Sequence, residues 1–337
     1  MNSTLHISKN SIDQCIEKII INEQIDGSVI GPSVYSMNCF APIYEHVNKN
    51  KLPIIVPKFP LIYSNIDKLK FPTSGQRFLV FGGGSLIDFV KVCAKRDKIS
   101  LTVLLSSISN DGFSSNFSSL KADETSYNQS YPSKAPQSVY ACLPLLTKHM
   151  PHKFWVSALG ELLSKLNVLE DLKVDKKVKE FDQTPFYQIE GFINKYTKRN
   201  ENSLIEIIKQ LYSFSLLMKN DSSWCSRSEH EFEKLYADSK LSHGQLVLMG
   251  ALVAMKIRCI YKLPDLYERL LYYCRKLEIS LELKQGFDTI LELNTYKRMK
   301  KLSSVRPERF GLWNLVDSTT VDWKIIIKEI IKELELS

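Results

Sequence analysis

A run of three glycines between an apolar stretch and a helical pattern constrains the fold of this chain most strongly. Phe78–Phe81 is typical of a short buried strand, and Gly82–Gly84 follow it directly. Apolar residues then recur at helical spacing from Leu86 to Val92. Such a turn lets the backbone approach an anion, and the first helical turn points N–H groups at it. The sequence therefore predicts a β–α turn, which is either purely structural or a phosphate site.

A second apolar run favours the phosphate interpretation. Leu101–Leu105 reads as another buried strand and ends in the polar turn Ser106–Gly112. In an open α/β sheet, ligands bind beyond the carboxyl ends of the strands. Both turns are therefore expected to face one crevice.

Strand-like and helical stretches alternate on both sides of these two strands, which predicts a parallel sheet with crossover helices. The expected helices are Ile12–Ile21 and Ala41–Val47, and the expected strands are Ser28–Ile30, Leu52–Val56 and Gln137–Leu146, with a short link at Ile66–Leu69 and a loop or hairpin at Asn116–Pro136. From Met150 onward long helical patterns dominate, so we expect a domain boundary near Pro151 and two domains, 1–150 and 151–337.

Length and composition limit the classes of function. The chain has 337 residues, which suits two domains that share a cleft. Its net charge of +8 is modest and dispersed, and no basic, aromatic-interleaved motif indicates nucleic-acid binding. We find no signal peptide and no apolar run of membrane-spanning length. Seven scattered cysteines without a CxxC pair suggest reduced thiols and a cytoplasmic location.

The motifs that follow the two strands resemble those of a known family. GGGSLID at Gly82–Asp88 and SSISNDGFSS at Ser106–Ser115 are similar to segments of the sn-glycerol-1-phosphate dehydrogenases. That family belongs to a larger group with the iron-type alcohol dehydrogenases, glycerol dehydrogenases and dehydroquinate synthases. Ser130–Pro136 and Ser304–Phe310 resemble further segments of the family, in matching order.

The resemblance implies a dehydroquinate synthase-like fold, in which a Rossmann-like parallel-sheet domain precedes an all-helical domain. It also implies an NAD(P)-dependent oxidoreductase that acts on a CH–OH group, with a role in phospholipid metabolism. The implied cofactor-binding residues are Gly82, Gly83, Gly84, Ser85, Asp88, Ser106 and Ser109. Asp111 would orient a substrate hydroxyl group, or would only cap its turn. The choice between NAD and NADP is open: Lys58 would suit a 2′-phosphate, but a solvated loop residue is the favoured explanation for it.

Three residues of the second half form a candidate metal site. Taken singly, each residue has an ordinary structural explanation. Glu161 could form an exposed helix pair with Lys165, His230 could be a solvated residue of a charged run, and His243 could mark the start of a helix. Together, one carboxylate and two imidazoles suit Zn²⁺ or Fe²⁺ and leave a position open for substrate. The resemblance assigns the ligands of one divalent metal to Glu161, His230 and His243, with zinc expected ahead of iron or nickel.

The sequence departs from the family at this site. The glycerol-1-phosphate dehydrogenases usually carry aspartate at the position of Glu161, asparagine at Lys165, and glutamate at Gln245. Dehydroquinate synthases use a glutamate ligand with a lysine nearby, so Glu161 and Lys165 resemble the site of those enzymes more closely. The link from His230 to His243 is also shorter than is typical.

The leading hypothesis is a metal-dependent, NAD(P)-linked dehydrogenase that interconverts a small phosphorylated ketone, such as dihydroxyacetone phosphate, and its alcohol. Asp111 and Lys165 are the candidate catalytic residues, and Lys165 is the candidate for the substrate phosphate. The alternatives are a dehydroquinate synthase-like sugar phosphate cyclase and a non-catalytic protein that retains the fold. The amphipathic stretch Trp323–Leu336 packs on the core or forms an oligomer contact, which leaves a homodimer open.

Overall fold

The computed structural model describes residues 3–32, 40–72, 75–124, 127–175, 181–196, 198–219, 221–293, 295–305 and 311–335. The chain forms two compact units. The first comprises Met1–Phe154 and Arg199–Asp221, and the second comprises Trp155–Lys198 and Ser222–Ser337. Because the segment 199–221 belongs to the first unit, one boundary near Pro151 does not describe these units, and the division into domains 1–150 and 151–337 remains a prediction.

The first unit contains a six-stranded parallel sheet with the strand order β1-β8-β5-β4-β2-β3, and a separate antiparallel hairpin of β6 and β7. The strands are β1 Thr4–Ser8, β2 Gly27–Ile30, β3 Ile54–Ile55, β4 Arg77–Gly82, β5 Ser100–Leu105, β6 Phe117–Lys121, β7 Asn128–Pro132 and β8 Ser138–Cys142. The predicted parallel sheet is confirmed, and so is a hairpin within Asn116–Pro136.

In the first unit, helices follow most strands of the sheet. In the second unit, the described secondary structure is helical. The helices are α1 Ile12–Asn22, α2 Phe40–Lys49, α3 Gly84–Asp97, α4 Leu143–His149, α5 His152–Val174, α6 Thr184–Lys195, α7 Glu201–Leu217, α8 Ser228–Leu235, α9 His243–Ile260, α10 Tyr267–Lys276, α11 Ser280–Leu291, α12 Thr295–Met299, α13 Leu302–Val305 and α14 Trp323–Glu335. Among the described residues no strand follows Cys142, which confirms a helical second half.

Helix α1 illustrates how local sequence positions an element of the first unit. The Ser11 hydroxyl accepts a hydrogen bond from the Gln14 amide, and the Gln14 side chain accepts one from the Ser11 amide, which forms a capping box. Ile16 and Ile19 are fully buried in a core with the sheet residues Leu79 and Leu104. The apolar face of the helix therefore covers the sheet.

Two expectations about the strands were wrong, and one strand was missed. The predicted strand Leu52–Val56 shortens to Ile54–Ile55, because Pro53 and Pro57 on either side cannot donate to a ladder. Of Gln137–Leu146, the last four residues start helix α4, which carries Pro144 in its first turn. The edge strand β1 was not predicted, since Thr4–Ser8 is polar and only partly buried.

Helix α9 is nearly all apolar. By length and composition it could cross a membrane, with a mean hydropathy of 1.3, but 72% of it is buried inside the protein. A helix that packs against neighbours on all sides needs no polar face, so this composition also fits a core helix. The expected absence of a membrane span remains a prediction.

Candidate functional site

The glycine turn joins β4 to α3 and leaves the start of the helix open. Gly83 is the N-cap residue, and the first backbone hydrogen bond of the helix runs from the Ile87 amide to the Gly83 carbonyl oxygen (3.1 Å). The amides of Gly84, Ser85 and Leu86 therefore precede the hydrogen-bonded part of the helix. Ser85 is exposed at this position. The turn can offer several N–H groups to an anion.

The polar loop after β5 lies beside the glycine turn. The strands align Gly82 with Leu105, and the Ser106 amide donates to the Gly82 carbonyl oxygen (3.3 Å). A Cβ atom added to Gly84 would lie 2.5 Å from Nδ2 of Asn110, so a side chain there would push the Asn110 amide aside. The two turns that the sequence predicted at one sheet edge are adjacent.

The buried residue Lys91, which sequence reasoning missed, anchors the polar loop to α3. Its ammonium group donates to the carbonyl oxygens of Gly112 (2.7 Å) and Phe117 (2.6 Å) and to Oγ of Ser115 (3.3 Å). It also lies 3.5 Å from Oδ1 of Asp88. Burial lowers the pKa of Lys91 and raises the pKa of Asp88, and the attraction between the two groups opposes both shifts.

The remaining predicted residues of the first unit differ in accessibility. Asp88 is buried against Lys91 instead of lying at the open helical turn. Ser106 and Asp111 are buried, whereas Ser109 is half-buried. The Asp111 side chain does not cap the 3₁₀ turn Gly112–Ser114, so the simple capping role is not observed.

The three predicted metal ligands converge within the second unit. Glu161 lies on α5, His230 lies on α8, and His243 is the first residue of α9. One ligand atom from each lies within 4.8 Å of the others. Oε2 of Glu161 is 3.1 Å from Nε2 of His243, and the two imidazole ring centroids are 5.3 Å apart. Helix α5 and the later, consecutive helices α8 and α9 therefore bring one carboxylate and two imidazoles together.

Glycines next to the ligands allow this approach. A Cβ atom on Gly160 would collide with the carbonyl oxygen of Gly244, and one on Gly244 would collide with the carbonyl oxygen of Ser157. The Gly244 amide donates to Oγ of Ser157 (2.9 Å). Because backbone atoms cannot move aside as a side chain can, α5 and α9 require glycine where they cross. The crossing sets Glu161 beside His243.

Glu161 divides its two oxygens between different partners. Oε1 accepts a hydrogen bond from Nζ of Lys165, which also donates to the carbonyl oxygen of Cys225 (2.7 Å). Within the described residues Oε2 makes no well-aligned hydrogen bond, although Nε2 of His243 lies 3.1 Å away. Burial alone would raise the pKa of Glu161, but Lys165 and the two histidines outweigh burial and lower it. The carboxylate is thus ionised, with one oxygen directed to the cluster.

Lys165 is fully buried and already paired in this arrangement. Its charge stabilises the ionised form of Glu161. This position fits support of a ligand better than contact with a substrate phosphate.

Each histidine meets a second carboxylate through Nδ1. Oε1 of Glu229 is 2.7 Å from Nδ1 of His230, and Oε1 of Glu233 is 3.3 Å from Nδ1 of His243. Burial lowers the pKa of His230 despite Glu229. Burial opposes the charge of His243 too, but Glu233 and Glu161 outweigh it and raise the pKa well above its usual value. These partners leave Nε2 of each ring for the cluster.

Sequence reasoning did not identify Glu229 and Glu233. The available signal was their spacing of four residues on a helix that also carries His230, which puts both carboxylates on one face. Gln245, a departure from the family, donates from Nε2 to the carbonyl oxygen of Glu282 (2.6 Å) and so joins α9 to α11. Arg306–Phe310 of the family-like segment lie outside the described residues.

The donor set fits a divalent metal ion. Two neutral imidazole nitrogens and one carboxylate oxygen are ligands that Zn²⁺ and Fe²⁺ accept, and three protein ligands leave one position open. The buried Glu161 oxygen without an aligned partner is the atom that such an ion would satisfy.

Comparison with known proteins points to the same family. The family model of the iron-containing alcohol dehydrogenases matches residues 64–148. Glycerol-1-phosphate dehydrogenase [NAD(P)+] from Staphylothermus marinus is 26% identical over 263 residues, 72% of either chain. Enzymes of the same name from Saccharolobus islandicus match over about half of their length, 53%.

Solved structures share the fold. Glycerol dehydrogenase from Schizosaccharomyces pombe superposes with a TM-score of 0.72 at 14% identity, covering 99% of this chain and 90% of that one. The 2-epi-5-epi-valiolone synthase from Streptomyces hygroscopicus, with NAD+ and Zn2+ bound, superposes with a TM-score of 0.61 at 11% identity, covering 100% and 97%. The expected fold and the resemblance are confirmed: part of the chain is similar to the iron-containing alcohol dehydrogenases, a longer part is similar to glycerol-1-phosphate dehydrogenases, and the fold is shared with glycerol dehydrogenase.

Proposed function

We propose that this protein is a metal-dependent, NAD(P)-linked dehydrogenase that interconverts a small phosphorylated ketone of the dihydroxyacetone phosphate type and its alcohol. The observation that carries the proposal is the convergence of Glu161, His230 and His243 within 4.8 Å. The names of the curated relatives support the substrate and the cofactor, and the synthase structure with bound NAD+ and Zn2+ supports the combination of a dinucleotide with a metal.

The first unit supplies the dinucleotide residues in this proposal. The open turn formed by Gly82–Gly84 and Ser85 binds the pyrophosphate through backbone amides. Ser106 and Ser109 contact the nicotinamide end of the cofactor, and Asp111 orients a substrate hydroxyl group. Asp88 acts indirectly, because it is paired with Lys91 beneath the polar loop.

The second unit supplies the metal residues. Glu161, His230 and His243 hold the ion, with zinc ahead of iron because three nitrogen and oxygen ligands with one open position are typical of catalytic zinc. A divalent ion held by these residues would supply polarisation of a substrate hydroxyl or carbonyl oxygen, and a nicotinamide cofactor would supply the hydride chemistry. Lys165 keeps Glu161 ionised and fixes one of its oxygens. Glu229 and Glu233 hold the two imidazoles through Nδ1.

The proposal is tested by mixing zinc-loaded protein with dihydroxyacetone phosphate and NADH or NADPH. Loss of absorbance at the reduced-cofactor band in proportion to the alcohol formed supports the dehydrogenase. His149→Ala, which changes a histidine outside the metal cluster, is the control and retains activity. Absence of oxidation with either cofactor in protein shown to contain zinc would contradict the proposal.

A sugar phosphate cyclase of the dehydroquinate synthase type is the second candidate. The presence of glutamate at Glu161 with Lys165 one turn later favours it. Such an enzyme oxidises and then reduces its substrate with one bound NAD while phosphate is eliminated. Release of inorganic phosphate from a sugar phosphate without net cofactor change would favour the cyclase over the dehydrogenase.

A further inference from the structure

Two carboxylates on one face of helix α8 contact the two histidines of the metal cluster. His230 lies on the same helix, and His243 lies on α9. Glu229 and Glu233 are separated by one helical turn, and each directs a carboxylate oxygen at Nδ1 of one imidazole. Both carboxylates are buried, so they stay in water-poor surroundings where an ionic hydrogen bond is strong.

The two carboxylates differ in what else they contact. Glu229 accepts from the Arg227 amide (2.8 Å) and from Nδ2 of Asn167 (2.8 Å), so it also organises the start of α8. The Glu233 side chain has no hydrogen bond or ion pair within the described residues except that with His243. Burying a carboxylate is costly unless it is paired. Pairing with His243 is therefore what stabilises the buried Glu233 carboxylate.

We propose that Glu233 is a positioning residue of the metal site: it holds His243 with Nδ1 occupied and Nε2 presented to the ion, and so sets metal affinity. The inference rests on the proposed function and extends it to a residue that does not itself touch the ion. A carboxylate on Nδ1 fixes the ring orientation and makes the opposite nitrogen a stronger ligand.

The charge of the site supports the same role. Four charged groups lie at the metal cluster, and all are buried. They are the carboxylates of Glu161, Glu229 and Glu233 and the ammonium group of Lys165. With neutral imidazoles they leave two negative charges, which one divalent cation balances. Without Glu233 the site would have one negative charge too few for such an ion.

The test compares Glu233→Gln with Glu170→Gln. Glu170 is a buried carboxylate of α5 that pairs with Lys173 (2.7 Å), so its substitution makes the same chemical change away from the cluster. Zinc affinity is measured by competition with a chromophoric chelator, and the visible spectrum of the Co²⁺ form reports the ligand field. Unfolding of the zinc-free proteins is followed in parallel.

We expect Glu233→Gln to weaken zinc binding by roughly 10–100-fold, the usual cost of losing such a partner, and to shift the cobalt bands. Glu170→Gln should do neither. Glu233→Asp retains the charge at a shorter reach, so its zinc affinity should fall between those of Glu233→Gln and the wild type. This variant decides the case if Glu233→Gln fails to fold.

Wild-type zinc affinity and an unchanged cobalt spectrum in a folded Glu233→Gln or Glu233→Asp protein would overturn the inference and leave the proposed function intact. If the wild-type protein bound neither zinc nor cobalt, the proposed metal site itself would fail, and the role of Glu233 with it. The two failures are therefore distinguishable from the wild-type titration alone.

Discussion

Each compact unit contains a buried lysine that pairs with a carboxylate one turn earlier on its helix. In the first unit Lys91 follows Asp88 on α3, and in the second Lys165 follows Glu161 on α5. All four side chains are buried, and each pair lies in the part of the unit that carries the candidate site. The two pairs have similar spacing along a helix, but the lysine charge acts on different groups in each.

Lys91 donates two of its four hydrogen bonds to backbone carbonyl oxygens, one at the end of the polar loop and one at the start of β6, and the pKa of Asp88 is raised by burial. Lys165 bonds one oxygen of Glu161, whose pKa is lowered despite burial because the histidines add to the effect. The first pair therefore holds a loop, and the second prepares a ligand. A buried ion pair acquires its role from the groups around it.

The largest expected effect is the loss of a ligand in the second unit. His230→Ala or His243→Ala should abolish turnover and lower zinc affinity by more than the roughly 10–100-fold that loss of an outer partner costs. Dinucleotide affinity should stay nearly unchanged, because the glycine turn lies in the other unit. Zinc and NADH titrations measure the two affinities, with His149→Ala as the control. An equal loss of both would contradict separate roles for the two units.

Removal of the second lysine should destabilise the protein in a way that zinc reverses. Lys165→Met leaves the buried Glu161 carboxylate without its ammonium partner, which costs about 3–5 kcal/mol in the zinc-free protein. A bound divalent ion supplies the missing positive charge, and excess ligand stabilises the native state by mass action. Chemical denaturation with and without zinc measures this. A loss of stability that zinc does not reduce would contradict a ligand-preparing role.

Removal of the first lysine should be equally costly but insensitive to zinc. Lys91→Met leaves Asp88 and three oxygen acceptors, at Gly112, Ser115 and Phe117, without the lysine donor, again at about 3–5 kcal/mol. NADH affinity should fall because the loop lies against the glycine turn. Lys209→Met, which breaks an exposed pair with Glu206, is the control and should cost about 0–1 kcal/mol. Rescue of Lys91→Met by zinc would erase the contrast between the two pairs.

A smaller effect is expected at the junction of the two loops. Gly84→Ala brings a methyl group against the Asn110 amide, which is the end of a side chain and can move. We expect NADH affinity to fall about tenfold, equivalent to about 1.4 kcal/mol, with zinc affinity unchanged. The double variant Gly84→Ala/Asn110→Ala should recover part of the loss if the contact is the cause. No change in the single variant would show that the loops do not form one site.

The smallest expected effect is the release of a proton when zinc binds. The raised pKa of His243 means that its ring is protonated near neutral pH without metal, whereas His230, with a lowered pKa, is neutral. Zinc binding at Nε2 of His243 should therefore release about one proton per ion, and affinity should weaken as the pH falls. Calorimetry in two buffers of different ionisation enthalpy measures the release. Identical binding enthalpies in both buffers would contradict this protonation state.

The sequence predicted what local patterns encode. The strands Phe78–Phe81 and Leu101–Leu105, the glycine turn and the helical second half follow from periodicity and were confirmed. Short edge strands such as Thr4–Ser8 were missed, because pairing with β8 makes the strand and its own residues carry little apolar signal. The resemblance, and no spacing rule, selected Glu161, His230 and His243.

Other parts of the site could not be read from the sequence because they depend on packing between distant segments. Lys91 looks like an ordinary surface lysine until carbonyl oxygens from 112–117 surround it. Glu233 lies in a charged run, and its role becomes visible only when the close packing of α9 on α8 at Gly250 brings His243 to it. Close backbone approach and burial are properties of the folded chain.

Anomalous diffraction at the zinc absorption edge, on crystals of the zinc-loaded wild-type protein, would locate the metal ion itself. We expect one strong peak at about 2.0–2.2 Å from a Glu161 oxygen and from one nitrogen of each of His230 and His243. A peak elsewhere, or no peak among these three side chains in protein exposed to saturating zinc, would contradict the proposed metal site.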